Sequence, residues 1–184
     1  MSTLACIGAA VSILETFTDK QTTAAGDEGS DREVRGLARM VQVSGSRTLV
    51  DLTVRGVAPG AYRATIREYG DIKDGAKSTG PVWSGSSIGS GEQPGGMLGT
   101  VHVGEDGRGA AFVDHGFQIW ETIGHAMVLT RQDDGEGVLK NDENTVVGVI
   151  ARSAGMWDND KTVCSCTGKT LWEERKDEVR KGML

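Results

Sequence analysis

The sequence predicts an all-β fold, either an antiparallel sandwich or a Greek-key barrel. Three observations carry this prediction. Eight short runs rich in Val, Ile, Thr and Ala recur along the chain. Gly, Asp and Ser turns separate these runs at regular spacing, and no helical period longer than a turn or two interrupts them. The chain also has 27 Gly and only 3 Pro among 184 residues, which favours many turns over a helix bundle.

The eight runs are predicted as strands in chain order. The first, "AAVSILETF", begins the fold, and "GTVHVGEDGRGAAFVD" reads as a hairpin that turns at Asp106-Gly107. The predicted strands cover residues 9–17, 34–43, 48–57, 61–70, 99–104, 109–114, 125–130 and 145–151.

The character of the chain changes after Gly155, where turn-forming residues end the strand pattern. Thr170 and Glu173 form a possible capping box for a short, charged helix. Because a helix this short is marginal in water, we expect a mobile C-terminal tail. The predicted boundary divides the chain into a barrel domain, 1–156, and a tail, 157–184.

Composition excludes several classes of protein. The net charge of −6 argues against nucleic acid as a partner. No apolar run reaches the roughly 18 residues of a membrane span, so no membrane partner is expected. The apolar segment from Leu4 to Leu14 reads as a buried first strand and not as a signal peptide, because the first basic residue is Lys20. Three cysteines are too few for a secreted disulfide framework, so we predict a reducing, cytoplasmic location.

Cys164 and Cys166 lie one residue apart in "VCSCTGKT". Two adjacent thiolates suit Cu(I), whereas a structural zinc site needs four ligands. A strained disulfide between them is the second option, since such bonds exchange readily with other thiols. The alternative is that both are merely small residues in a tail. Cys6, in the apolar first segment, reads as a passive buried residue.

The segment "GVIARSAGMWDNDKTVCSCTGKTLWEERKDE" resembles the C-terminal end of the copper chaperones for Cu,Zn superoxide dismutase. Upstream, "STGPVW" and "WETIGHAMVLT" resemble their dismutase-like domain, most closely in fungal members. The resemblance implies an eight-stranded antiparallel Greek-key β-barrel with a Cys-x-Cys tail. It also implies a heterodimer with Cu,Zn superoxide dismutase, delivery of Cu(I) and formation of the client's intrasubunit disulfide.

One departure from that family concerns the N-terminus. The family usually begins with a separate copper-binding domain that carries Met-x-Cys-x-x-Cys, and only Cys6 lies in that region here. Either the chain is a fragment or its lineage has lost the domain. The sequence leaves that choice open, together with the source of the copper.

An active or vestigial dismutase is the main rival, and an interaction module without metal chemistry is a third reading. The resemblance implies an alignment with the dismutases in which non-ligand residues stand at the copper-ligand positions. Neither dismutase activity nor zinc in the barrel is therefore expected. Ala76 and Val147 replace the two disulfide partners, and His102 and His115 read as ordinary residues. The replaced ligand positions are Thr65, Arg67, Val82 and Thr130.

The resemblance also implies a docking face that imitates the dismutase dimer interface. Such a two-fold surface allows homodimers as well. Fungal relatives usually carry Arg at the position of His125, so this His is expected to weaken an anion contact or to make it sensitive to pH. The mitochondrial intermembrane space is a second possible location. The predicted face comprises Tyr69, Gly70, Ile123, Gly124, His125, Gly148, Val149, Ile150, Ala151, Arg152, Ser153, Ala154 and Gly155.

Overall fold

The computed structural model describes residues 8–17, 32–85, 95–132 and 138–153. These residues form nine strands, one short α-helix and one turn of 3-10 helix, Gly75–Ser78. The strands are β1 Ala9–Phe17, β2 Arg32–Ser44, β3 Arg47–Arg55, β4 Gly60–Arg67, β5 Met97–Val103, β6 Arg108–His115, β7 Ala126–Thr130, β8 Val146–Val149 and β9 Ala151–Ser153, and the helix is α1 Ile119–Thr122.

The strands form one antiparallel sheet that closes on itself. Its order is β2-β3-β6-β5-β4-β7-β8-β1-β9, and β1 also pairs with β2. Strand β1 pairs with β2 along its length, from Ala9 opposite Val41 to Phe17 opposite Arg32, and with β8 near its end. This additional pairing removes the free edges of an open sheet. The predicted all-β, eight-stranded barrel is therefore confirmed, with β9 as an extra strand.

The barrel interior is filled by alternate residues of each strand, as the period of two requires. On β3, Val50, Leu52 and Val54 are buried in the main core, while Arg47 and Arg55 at its two ends are exposed. Tyr62 on β4 is fully buried, and its hydroxyl lies 2.8 Å from the carbonyl oxygen of Ala58. Burial raises the pKa of this phenol.

A second apolar cluster lies outside the barrel wall, against β7 and β8. Ala126 and Val128 on β7 and Val147 on β8 belong to it, so these strands are apolar on both faces. The connecting segments supply Ala76 and Leu139. Because these side chains cover the strands, the segments that contain residues 76 and 139 are held on the barrel surface.

The structure bears out two sequence predictions and corrects one. The first strand contains residues 9–17 as predicted, and the β5–β6 hairpin turns at the predicted dipeptide. The last strand, predicted as one run over 145–151, is instead divided at Ile150 into β8 and β9. The amide and carbonyl groups of Ile150 bond to the turn that precedes β7, which takes this residue out of the regular ladder.

By its contacts the chain divides into two compact units, Met1–Arg152 and Ser153–Leu184. The predicted tail, 157–184, lies outside the described residues. Within the described part of the chain, no helix combines the length and the apolar character needed to span a bilayer.

Candidate functional site

The turn that contains Ile123, Gly124 and His125 is fixed to the break between β8 and β9. Gly124 donates its backbone N–H to the carbonyl oxygen of Ile150 at 2.9 Å, and Ile150 donates its own N–H to the carbonyl oxygen of His125, also at 2.9 Å. A third bond joins the N–H of His125 to the carbonyl oxygen of Thr122 at 3.1 Å. Two predicted segments, 123–125 and 148–153, therefore meet in one place.

Gly70 brings the third predicted segment against the same turn. A Cβ atom built on Gly70 would overlap the carbonyl oxygen of Gly124, and it would also lie 3.4 Å from a methyl group of Val149. Only glycine allows so close an approach of two backbones. The residue is thus required by packing at the junction of all three segments.

Tyr69, beside this junction, is a large side chain held in a defined position on the surface. Its ring is 56% exposed and packs on Gly80, where a Cβ atom would overlap the ring. The backbone N–H of Tyr69 donates to the carbonyl oxygen of Thr79 at 3.0 Å. An exposed, ordered tyrosine is typical of the residues that anchor protein interfaces.

His125 is half-buried and oriented from two sides. Its Nδ1 lies 3.0 Å from the carbonyl oxygen of Arg67, and because a carbonyl only accepts, Nδ1 donates the proton. Its ring centroid is 5.4 Å from that of Trp83 at an angle of 45°. Trp83 in turn makes an edge-to-face contact with Phe117, with 6.2 Å between centroids. His125 is therefore tied to the barrel core.

The remaining predicted face residues differ in exposure. Gly148 and Ile150 are buried within the barrel, so they position the face through their backbones. Val149 and Ser153 are half-buried, while Ala151 and Arg152 are exposed on β9. Ala154 and Gly155 lie outside the described residues. Arg152 is therefore the exposed charge that this face offers within 148–153.

The four positions aligned with copper ligands hold no metal-binding side chains, and the structure shows what occupies their place. Thr130 and Thr145 are buried, with their hydroxyl oxygens 2.9 Å apart. Thr65 and Arg67 are buried on β4, and Val82 forms a single bridge to Arg67. In the described part of the chain, no group of three or more His, Cys, Asp or Glu is placed to hold a metal ion.

Arg67 connects this region with the predicted docking face. Its Nη1 donates to the carbonyl oxygen of Gly80 at 3.3 Å, and its own carbonyl oxygen accepts from His125. Gly80 carries the ring of Tyr69. Arg67 thus contacts the support of one predicted face residue, Tyr69, and a second face residue, His125, directly.

The positions aligned with the dismutase disulfide also meet in space. Ala76, in the 3-10 helix, and Val147, on β8, belong to the same apolar cluster, together with Phe17 and Leu139. The backbone N–H of Ala76 donates to Oδ1 of Asn141 at 2.8 Å. Apolar packing and this hydrogen bond hold the two positions that the resemblance aligns with the disulfide partners of the dismutases.

His102 is exposed on β5, and His115 lies 3.0 Å through Nε2 from the carbonyl oxygen of Met97. His102 stands opposite Ala61 of β4, and the ring centroid of His115 lies 5.3 Å from that of Phe117. Cys6, Cys164 and Cys166 all lie outside the described residues, so the predicted metal and disulfide chemistry of the thiol pair stays a prediction.

Residues 34–154 match the family described as copper/zinc superoxide dismutase. The closed barrel and this match define the class of protein, and the chain belongs to the copper/zinc superoxide dismutase family.

The curated relatives narrow this class further. The chain is 44% identical over 173 residues to the superoxide dismutase 1 copper chaperone of Candida glabrata. This match covers 93% of the chain and 65% of the relative. It is 42% identical over 180 residues to the protein of that name in Saccharomyces cerevisiae, with 92% and 66% covered. The corresponding protein of Debaryomyces hansenii is 38% identical over 188 residues, with 95% and 69% covered. Within its family, the chain thus belongs with the copper chaperones for superoxide dismutase. It spans just under two thirds of the length of the first two relatives.

Sequence reasoning missed the residues that support the face from beneath. Trp83 packs under His125, and Gly80 carries the ring of Tyr69. The only signal for them was the run "STGPVW", whose Gly-Pro pair marks a turn but does not reveal which ring packs on it.

Proposed function

We propose that this protein is a copper chaperone that docks on Cu,Zn superoxide dismutase as a heterodimer and delivers Cu(I) to it. The observation that carries the proposal is a dismutase barrel whose copper-ligand positions hold buried Thr and Arg, combined with an adjacent thiol pair in the tail. The names of the relatives support the same function. The location that fits this client is the cytoplasm, with the mitochondrial intermembrane space as a second compartment.

Docking uses the face built by Tyr69, Gly70, 123–125 and 148–155. Three features support this assignment: an exposed tyrosine held in position, a turn bonded to the β8–β9 break, and an exposed guanidinium at Arg152. The face has one large aromatic anchor and one charge, which is the composition of many interface centres. Because a dismutase dimer interface is self-complementary, a subunit of similar shape can replace one copy, and homodimers are the competing state.

The tail carries the transfer chemistry. Cys164 and Cys166 hold Cu(I) as a bis-thiolate, which is a coordination that this soft ion accepts. Two sulfur ligands leave the ion open to exchange, so histidines of the client site can displace the thiolates once the tail is beside them. No zinc is required in the barrel of the chaperone for this step.

Formation of the client disulfide follows from exchange and needs an oxidant. Dioxygen first takes two electrons and two protons from the two tail thiols, which join in a disulfide while the dioxygen is released as hydrogen peroxide. A client thiolate then attacks one tail sulfur, which forms a mixed disulfide and releases the other tail thiolate. The second client thiolate displaces the first tail sulfur, leaving the client oxidised and the tail reduced. The protein thus exchanges disulfides without acting as a dismutase.

Mass spectrometry of intact complexes tests this proposal. The protein is mixed with zinc-loaded, disulfide-reduced dismutase, with and without Cu(I) and dioxygen. We expect a one-to-one heterodimer, then a client heavier by one copper and lighter by two hydrogens. A client that gains copper at the same rate when the chaperone is absent would contradict the proposal.

A further inference from the structure

A cleft of about 850 Å³ lies on the outside of the barrel where β2, β3 and β6 meet β1. Its apolar lining includes Ile13 and Val34, which are 54% and 48% exposed. Leu37 lies opposite Ile13 in the β1–β2 ladder, so these side chains form a continuous apolar strip. None of the cleft residues belongs to the proposed docking face.

Three arginines line the same cleft. Arg55 on β3 and Arg108 on β6 are Cα partners, so their side chains start from directly opposed positions of neighbouring strands, and both line the cleft. Arg35 on β2 is the third; its Nη1 lies close to Gly56, the residue after β3. Like charges at directly opposed positions of a sheet are destabilising, so the pair is unfavourable unless an anion lies between them.

Few acidic groups of the described chain offset these charges. Glu33 forms an ion pair with Arg35, with 2.7 Å between its carboxylate oxygen and Nη2 of Arg35. This pair does not offset the charges of Arg55 and Arg108. The carboxylate of Asp106 accepts from the backbone N–H of Arg108, which holds the β5–β6 turn. Elsewhere on β3 and β6, Arg47 forms an ion pair with Asp114. Another arginine of the same two strands therefore does have an acidic partner.

We propose that the cleft binds a medium-chain carboxylate. The carboxylate group lies between Arg55 and Arg108, where a planar guanidinium donates two parallel N–H bonds. The alkyl chain lies on the strip formed by Ile13, Val34 and Leu37. The volume is within the range of small-molecule sites, and an apolar floor with a few convergent polar groups is their usual lining.

Titration calorimetry with decanoate, and with decanol as the uncharged control, tests this site in the whole protein without any client. We expect decanoate to bind at least about tenfold more tightly than decanol, because only the anion satisfies the two guanidinium groups. The change Arg108→Glu should abolish decanoate binding, and Arg47→Gln, which breaks an ion pair elsewhere on the sheet, should leave it unchanged. Methyl shifts of Ile13 on titration should locate the ligand.

Thermal melting gives a readout that does not depend on the ligand. Arg108→Glu converts a repulsive pair into an attractive one, so the unliganded variant should melt about 1–3 °C higher than the parent. Equal affinity for decanoate and decanol would overturn the proposal, as would decanoate binding that survives Arg108→Glu. Binding of an acidic, apolar peptide without any binding of decanoate would assign the cleft to a protein partner instead.

Discussion

Arg67 shows how a single residue can connect two functions of one fold. It stands where the resemblance to the dismutases places a copper ligand, and a guanidinium cannot take that role because it has no free electron pair to donate. Its side chain instead contacts Gly80, and its carbonyl oxygen orients His125. The residue therefore supports the predicted face through these two contacts.

The thiol pair gives the first prediction at the scale of residues. Replacing Cys164 and Cys166 by Ser should abolish Cu(I) binding, because the hard hydroxyl groups do not replace soft thiolates. Cys6→Ser is the matched control and should leave the stoichiometry at about one copper per thiol pair. Titration with a Cu(I)-specific chelator measures both. Loss of copper in the Cys6 variant alone would move the site to the N-terminal segment.

Arg152 gives the second prediction at the scale of residues. Arg152→Glu reverses an exposed charge on β9 and should weaken heterodimer formation by about 1–3 kcal/mol. The barrel should stay folded, because the side chain is not part of either apolar cluster. Gel filtration with the client measures the change, and Arg55→Glu on β3 serves as the charge-matched control. Unchanged client binding by the Arg152 variant would place this residue outside the interface.

At the scale of elements, the sequence predicted the strands well because their β-rich runs lie between clear turns. The burial of β3 and β6 alternates closely, whereas β7 and β8 are apolar on both faces. The break at Ile150 could not be predicted, since its cause is a pair of hydrogen bonds to a turn 25 residues earlier. Four-residue α1 was missed for a similar reason: Gln118 and Glu121 form its capping box, but the helix is too short to show a period.

The turn at Gly124 gives the prediction that belongs to this scale. Gly70→Ala should displace that turn, because a methyl group has no room beside the carbonyl oxygen of Gly124. We expect a loss of about 1–3 kcal/mol in the free energy of unfolding and weaker client binding. Gly45→Ala, at an open position in the β2–β3 turn, should change stability by less than about 0.5 kcal/mol. Urea denaturation compares the two, and equal stabilities would show that the turn adapts.

At the scale of the whole molecule, the barrel has the architecture of its family but carries no metal-binding side chains at the positions aligned with copper ligands. A buried Thr130–Thr145 contact lies at one aligned metal-ligand position, and a cluster around Ala76 and Val147 lies at the positions aligned with the disulfide. Sequence alignment predicted which residues stand there. It could not predict that they would pack together, because the stabilising contacts join segments far apart in the chain.

The protein should therefore have no dismutase activity of its own. After incubation with copper and zinc, its rate should stay at the level of free metal, because Thr65, Arg67, Val82 and Thr130 supply no imidazole. A xanthine oxidase–cytochrome assay measures the rate, with an authentic dismutase treated in parallel as the control. Turnover near that of the authentic enzyme would refute the alignment on which the whole account depends.

In the proposed function, the barrel recognises the client and the tail performs the chemistry. The most direct test compares the full chain with a chain ending at residue 157, using zinc-loaded, disulfide-reduced dismutase as the client and Cu(I) with dioxygen in both reactions. We expect the shortened protein to melt cooperatively and still to bind the client, because all strands of the described residues lie before this point. We also expect client activity to stay at the level found without chaperone. Full activation of the client by the shortened chain would contradict the role of Cys164 and Cys166.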